Sequence, residues 1–177
     1  MCVITDFEES VRKLSNYVQL DTILNETKQT PFWIKDNKFR FLRVNQAICN
    51  ILYPQANTED LIGKTDWEYV KSIGCSEDIV TRTKECCVYS DKYVLNSNSS
   101  GEKFYEKVVN TNGDVFWLLT TKERIPPEAD AKKAFGIYGT AIVFPLAEKI
   151  IAESIQPLEK ISENVYRIIE TERITTK

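Results

Sequence analysis

The stretch FYEKVVNTNGDVFWLLTT, residues 104–121, carries the clearest structural signal in this sequence. Residues that favour strands fill 104–109 and again 115–121. Between the two runs lies the pair Asn112-Gly113, and both residue types tolerate a positive φ. The stretch therefore predicts two antiparallel strands joined by a two-residue primed turn.

Three more strand-like runs surround this hairpin in the sequence, at 32–35, 38–44 and 134–144. The region between the second run and the hairpin has helical signals instead. Asn45 is placed to cap a first helix that Pro54 ends, and Ser76 is placed to cap a longer helix that reaches Leu95. The order of elements predicts an α+β fold with five antiparallel strands.

Both ends of the chain have apolar residues at helical spacing. We expect residues 1–19 to form an amphipathic helix, with Phe7, Val11, Leu14 and Val18 on one side. Residues 146–177 are expected to be helical as well. Their apolar residues follow a 3-4-3 spacing that is typical of a short coiled-coil seam: Leu158, Ile161, Val165 and Ile168.

Composition excludes several classes of function. The 177 residues have a formal net charge of −3, which does not suggest nonspecific binding to nucleic acid. Histidine is absent, so this chain cannot contain a Ser-His-Asp triad or a histidine-ligated haem. Five cysteines without a CxxC pair indicate neither a zinc site nor a disulfide framework. Without a signal peptide or a long apolar run, we expect a cytoplasmic protein that contacts no membrane.

Several short segments between about residue 20 and residue 145 form a series: FWIKD at 32–36, FRF at 39–41, VNQA at 44–47, DLIGKTD at 60–66, NGD at 112–114 before VFW at 115–117, and FGIYG at 135–139. Each segment is short, but their order and spacing together resemble those of a PAS domain. The resemblance covers roughly residues 20 to 145.

The resemblance implies a five-stranded antiparallel sheet in the order 2-1-5-4-3, with helices on one face and a small pocket between them. It also implies a sensory module that binds a small ligand or mediates dimerisation and relays its state to an output domain outside this chain. We expect that output to belong to a transcription regulator or a sensor kinase. The pocket is expected between the helices of 45–95 and the sheet, with these ligand-binding residues: Phe41, Asn45, Trp67, Tyr89, Trp117 and Tyr138.

Other interpretations remain open for these residues. Asn45 is more simply a helix cap, and Trp117 is more simply a core residue; a register slip of one residue would replace Trp117 by Phe116 or Leu118. The terminal apolar residues could form a dimeric coiled coil or could pack against their own sheet. A second class of function is an enzyme that uses a carboxylate such as Asp36, Asp66, Glu68 or Glu106 as a base. The sequence does not identify a catalytic residue, a metal ligand or a cofactor.

Overall fold

The computed structural model describes residues 6–9, 29–97, 101–125, 135–153 and 157–169. The described part contains seven β-strands, five α-helices and a helical turn at residues 6–9. The strands are β1 Phe32–Asp36, β2 Phe41–Val44, β3 Gly101–Val109, β4 Val115–Ile125, β5 Gly136–Val143, β6 Leu158–Ser162 and β7 Val165–Ile168. The helices are α1 Gln46–Leu52, α2 Thr58–Leu61, α3 Asp66–Ser72, α4 Glu77–Asn96 and α5 Ala147–Glu153.

All seven strands form one sheet in the order β2-β1-β5-β4-β3-β7-β6, and every neighbouring pair is antiparallel. The first five strands in this order confirm the predicted α+β architecture and its 2-1-5-4-3 arrangement. Strands β7 and β6 extend the sheet beyond β3, at the edge where the expected fold would end.

The two faces of the sheet are covered differently. The face that we call inner packs against α1 to α4, and its core includes Trp33, Phe104, Leu118 and Ile137 together with helix residues such as Ile48. Helix α4 crosses β3, β4 and β5 on this face. Because side chains alternate along a strand, the neighbours of these residues point to the opposite, outer face.

Two smaller apolar clusters cover parts of the outer face. One contains Phe32, Ile34 and Leu42 of β1 and β2, with Phe7 packed against it. The other contains Tyr105 and Trp117 together with α5 and residues of β6 and β7. Apart from 6–9, the predicted N-terminal helix of residues 1–19 lies outside the described residues.

The prediction of a helical seam at the C-terminal end is wrong. Helix α5 is present, but the residues with the 3-4-3 spacing belong to β6 and β7. Leu158 and Ile168 pack on the outer face, whereas Val165 is fully buried in the inner core with Ile161 against it. Pairing with β3 provides backbone partners for β7, so the tertiary contacts decide the conformation rather than the local spacing.

The hairpin between β3 and β4 is confirmed, but its turn differs from the predicted two-residue primed turn. The strands end at Val109 and resume at Val115, and Gly113 N donates to Asn110 O at 3.0 Å. Only Gly113 in this loop has a positive φ, of 89°. The Asn110 Oδ1 atom accepts from the backbone N–H groups of Asn112 and Asp114 and so stabilises a longer loop.

No helix of the described part is long and apolar enough to span a bilayer.

Candidate functional site

Five charged side chains meet in the interior, between the helices and the inner face of the sheet. We call this group the ionic cluster: Lys35, Asp66, Asp91, Glu106 and Lys122. None of the five is more than 4% exposed to solvent. Charged side chains are rarely buried to this extent unless they are paired, because leaving water costs several kcal/mol for each ion.

Each member of the ionic cluster comes from a different element. Lys35 of β1 and Lys122 of β4 lie on the inner face, and Glu106 of β3 lies on the same face. Asp91 lies on the buried side of α4. Asp66 is the first residue of α3, where the N-terminal end of the helix dipole favours a carboxylate, and Thr65 caps that helix.

Asp91 connects the two lysines. Its Oδ2 atom accepts from Lys35 Nζ at 2.8 Å, and its Oδ1 atom accepts from Lys122 Nζ at 2.7 Å. Lys35 Nζ also donates to Asp66 Oδ2 at 2.6 Å, and Lys122 Nζ donates to Glu106 Oε1 at 2.8 Å. The five residues therefore form one continuous chain of charge-assisted hydrogen bonds.

Two hydroxyl groups complete this chain at its ends. Tyr53 donates its hydroxyl to Asp66 Oδ1 at 2.7 Å. Ser90 accepts from Lys122 Nζ at 2.6 Å and is hydrogen-bonded to Glu106 Oε1. Every carboxylate of the ionic cluster thus has two partners, which offsets part of its desolvation.

Aromatic rings lie close to both ammonium groups. Lys35 Nζ lies 4.8 Å from the centre of the Phe41 ring. Lys122 Nζ lies 5.8 Å from the Trp33 ring and 5.9 Å from the Phe104 ring. The negative faces of such rings attract cations, and the attraction is stronger where water is excluded.

The electrostatics favour the charged forms of Asp91, Lys35 and Lys122. Burial alone would raise the pKa of Asp91, but the charges of Lys122 and Lys35 outweigh burial and lower that pKa below 3.8. Burial opposes the charged form of Lys35, yet Asp66 and Asp91 hold its pKa well above 10.5. The pKa of Lys122 is raised above its ordinary value in the same way, by Asp91 and Glu106.

Three buried polar atoms beside the ionic cluster lack a hydrogen-bond partner within the described part of the chain: Trp33 Nε1, Thr120 Oγ1 and Arg124 Nε. Thr120 and Arg124 lie two residues before and two residues after Lys122 on β4, and the centre of the Trp33 ring lies 5.8 Å from Lys122 Nζ. An unsatisfied buried donor or acceptor costs about 1–3 kcal/mol, so each is a position where a bound molecule would gain a hydrogen bond.

Of the six residues expected to bind a ligand, Phe41 lies where it was expected, 2% exposed beneath Lys35. Asn45 is the cap of α1: its Oδ1 atom accepts from the N–H groups of Phe32 and Ile48. Trp67 is half-buried on α3, where its ring contacts Phe39. Of these three residues, only Phe41 contacts the ionic cluster.

The other three expected residues do not line the interior. Tyr89 is 47% exposed and lines a surface groove of about 440 Å³ between α4 and β6. Trp117 and Tyr138 lie on the outer face, so the prediction that they share a wall with Phe41 is wrong. The register assigned to β4 was shifted by one residue, and Leu118 occupies the inner position instead. Ligand binding by the six residues stays a prediction.

Sequence reasoning did not assemble the ionic cluster. The sequence indicates Asp66 and Glu106 only as isolated carboxylates, and its patterns do not single out Lys35, Asp91 or Lys122. A signal was present in FWIKD, because Lys35 occupies the position that shares the buried face with Trp33. Glu106 and Lys122 likewise interrupt the inward alternation of their strands.

No family model and no curated protein matches this sequence. Similar solved structures include VqmA bound to DPO, with 20% identity, a TM-score of 0.53 and 71% of this chain covered. The phage VqmA-DPO complex has 16% identity, a TM-score of 0.55 and 84% of this chain covered. The PAS domain of BvgS from Bordetella pertussis has 13% identity and a TM-score of 0.55, over 79% of this chain.

Coverage of the partner structures differs between these matches. The chain spans 57% and 64% of the length of the two VqmA structures, but 94% of the BvgS PAS domain. A third similar structure, with a TM-score of 0.50, is a VqmA dimer from Vibrio cholerae. At these identities the similarity concerns the fold, and it agrees with the strand order and the helical layer described above. This chain has the fold of a PAS domain.

Proposed function

We propose that this chain is the sensory part of a cytoplasmic signalling protein. It binds a small molecule at the ionic cluster and passes its state to an output domain outside this chain. The output belongs to a transcription regulator or a sensor kinase, and the chain itself catalyses no reaction. It makes no direct contact with nucleic acid or membrane.

The observation that carries this proposal is the ionic cluster, together with the unpartnered atoms around it. A domain that needed only a stable core would gain more from apolar residues here, because replacing a buried ion pair by packed hydrophobic residues is often neutral or stabilising. Charged and hydrogen-bonding groups in an interior are therefore a candidate binding site. The likeness to VqmA, a protein described in complex with DPO, supports the same interpretation.

We also propose that the protein acts as a homodimer through the segments that flank the sheet. The C-terminal apolar residues are used within their own sheet, so the N-terminal segment and α5 are the flanking elements that remain for this role. In the described part, Leu146 beside α5 is 59% exposed, and Ile142 and Val143 at the end of β5 are about half exposed. A second copy that covers this region would remove apolar surface from water.

Native mass spectrometry of freshly purified protein tests both parts of the proposal, because it reports copurified ligand and oligomeric state together. A thermal-shift screen against metabolites follows, since a molecule that binds the folded state raises the melting temperature. We expect a ligand that stabilises the protein without being converted. Conversion of the ligand would favour the carboxylate enzyme, and the absence of any ligand would contradict sensing.

A further inference from the structure

We infer that a cavity beside the β3–β4 hairpin binds a free α-amino acid with an aliphatic side chain. None of the five residues of the ionic cluster lines this cavity. The inference therefore goes beyond the proposed function, because it assigns a second binding site to the chain.

The cavity has a volume of about 540 Å³, which lies within the range of small-molecule sites. Residues between Gln55 and Ile79 form one side, and Thr111 and Asn112 of the hairpin loop form the other. Its wall includes two charged residues, a tyrosine, a cysteine and two isoleucines: Asp60, Lys64, Tyr69, Cys75, Ile73 and Ile79.

Tyr69 of α3 provides the first observation. Only 5% of this residue is exposed, and its ring packs edge-on against Tyr53 with 5.4 Å between the ring centres. Its hydroxyl nevertheless has no hydrogen-bond partner among the described residues. Burial raises the pKa of Tyr69, and so do Asp60 and Cys75 of the cavity wall, so the hydroxyl stays protonated and faces the cavity. A buried donor without a partner indicates a bound molecule that accepts from it.

The second observation is a pair of opposite charges that do not neutralise each other. Lys64 Nζ donates to the backbone carbonyl of Asp60 at 2.8 Å and lies 5.6 Å from the centre of the Tyr69 ring. The Asp60 carboxylate accepts from the backbone N–H of Asn57 through Oδ2. Neither charged side chain forms an ion pair in the part of the chain that the structure describes. Lys64 thus retains two N–H donors, and Asp60 retains Oδ1 as an acceptor.

These groups fit a molecule whose own two charges are close together. The hydrogen bond from Lys64 to the backbone of Asp60 keeps the two side chains beside each other. An α-amino acid has its ammonium and carboxylate groups on one carbon atom, so the carboxylate can accept from Lys64 and Tyr69 while the ammonium group donates to Asp60. Asp60 would repel a simple anion, and Lys64 would repel a simple cation.

The apolar part of the wall indicates the side chain of the ligand. Ile73, just after α3, is 47% exposed, and Ile79 of α4 is half-buried. A Cβ atom on Gly74 would meet no atom within 4 Å, so the space beside Ile73 is open. A branched aliphatic side chain placed there would remove apolar surface from water.

The test uses the full chain and three probes that share one carbon skeleton. L-leucine carries both charges, 3-methylbutylamine lacks the carboxylate, and 4-methylpentanoate lacks the ammonium group. Binding is measured by isothermal titration calorimetry. We expect L-leucine to bind, and we expect each of the other two to bind at least about tenfold more weakly, because each lacks one set of charge-assisted hydrogen bonds.

Substitutions in the wall test the role of each group. Tyr69→Phe removes only a hydroxyl without a partner, so it should leave the stability of the fold unchanged and weaken binding of L-leucine about threefold to tenfold. Lys64→Gln and Asp60→Asn should each weaken binding by about tenfold or more. The control is Lys71→Gln, which alters an exposed lysine of α3 outside the cavity and should leave binding unchanged.

The thiol of Cys75 locates the bound molecule. Cys75 is partly exposed and lines the cavity, so L-leucine should slow its alkylation by iodoacetamide, measured by mass spectrometry of the Cys75 peptide. The inference is overturned if L-leucine does not bind, if the amine or the acid binds as tightly, or if Tyr69→Phe and Lys64→Gln bind L-leucine as the control does. An unchanged rate of alkylation in the presence of bound L-leucine would overturn it as well.

Failure of this inference can be told apart from failure of the proposed function. Binding of a ligand at the ionic cluster should depend on Glu106→Gln and not on Lys64→Gln. If the metabolite screen gives such a ligand and L-leucine does not bind, only the amino-acid site is overturned. If L-leucine binds and protects Cys75 but no ligand depends on Glu106, the amino-acid site stands and the ionic cluster is not the sensory site.

Discussion

The ammonium nitrogen of Lys35 lies 2.8 Å from a carboxylate oxygen of Asp91, and neither side chain is more than 3% exposed. The same carboxylate holds Lys122 on its other oxygen. Asp91→Asn would therefore leave two buried ammonium groups facing a neutral amide. We expect this change to lower the free energy of unfolding by about 1.5–3 kcal/mol, measured by urea denaturation, because each ammonium group loses a charge-assisted hydrogen bond and keeps only one carboxylate partner, Asp66 or Glu106.

A second aspartate on the same helix provides the control. Asp78 is 76% exposed, and its carboxylate lies 3.7 Å from Arg82. Asp78→Asn should change the free energy of unfolding by less than about 0.5 kcal/mol. Similar effects of the two substitutions would show that the ionic cluster does not contribute to the stability of the fold.

The lowered pKa of Asp91 predicts how the free energy of unfolding changes in acid. A carboxylate with a depressed pKa in the folded state contributes stability above its ordinary value of 3.8, and this contribution is lost as the pH falls through the folded-state pKa. We expect the contribution of Asp91 to the stability of the wild type to be fully present above about pH 5 and to be lost as the pH falls below 3.8. Asp91→Asn should show a smaller drop over the same interval, and an equal drop would assign the acid sensitivity to other carboxylates.

Glycine in β5 has a packing role that can be tested directly. A Cβ atom on Gly139 would lie 2.5 Å from the Trp33 ring, so the indole covers this residue and has no room for a methyl group. Gly139→Ala should lower the free energy of unfolding by about 1–3 kcal/mol and should alter the near-ultraviolet circular dichroism of Trp33. The neighbouring change Thr140→Ala, at a half-buried position, should leave that spectrum unaltered.

The hairpin illustrates what the sequence could predict and what it could not. Asn112-Gly113 located the reversal correctly, because a turn between two strand-like runs is a local property. The turn type depended on Asn110, whose side chain accepts from two backbone N–H groups.

Replacing Gly113, with its φ of 89°, by Val should lower the free energy of unfolding in urea by about 1 kcal/mol or more, because a β-branched residue resists positive φ.

The ionic cluster was not predictable because its members are distant in sequence. Lys35 and Asp91 are separated by 56 residues, and Lys122 follows Asp91 after another 31. Each residue alone has the properties of an ordinary surface charge, and only the topology of the sheet and the position of α4 bring them together. The strand order could be inferred because the family resemblance carries topology, but it does not specify which polar residues point inward.

The C-terminal residues provide the last prediction, and it separates the two interpretations of their spacing. In a coiled coil Val165 would lie at a dimer seam, and Val165→Glu would give a folded monomer. In the structure Val165 is fully buried in the inner core, opposite Glu106 on β3. Val165→Glu should therefore destabilise the fold by about 3–5 kcal/mol, because it buries a second carboxylate beside the first.

Light scattering and urea unfolding together distinguish these outcomes. Ile169, just after β7, is 38% exposed, so Ile169→Glu should leave both the stability and the oligomeric state nearly unchanged. If Val165→Glu unfolds at the same urea concentration as the wild type but is a monomer by light scattering, the coiled-coil interpretation would be correct. Loss of the fold in Val165→Glu, with Ile169→Glu intact, would establish that β7 belongs to the core of the sheet rather than to a dimer interface.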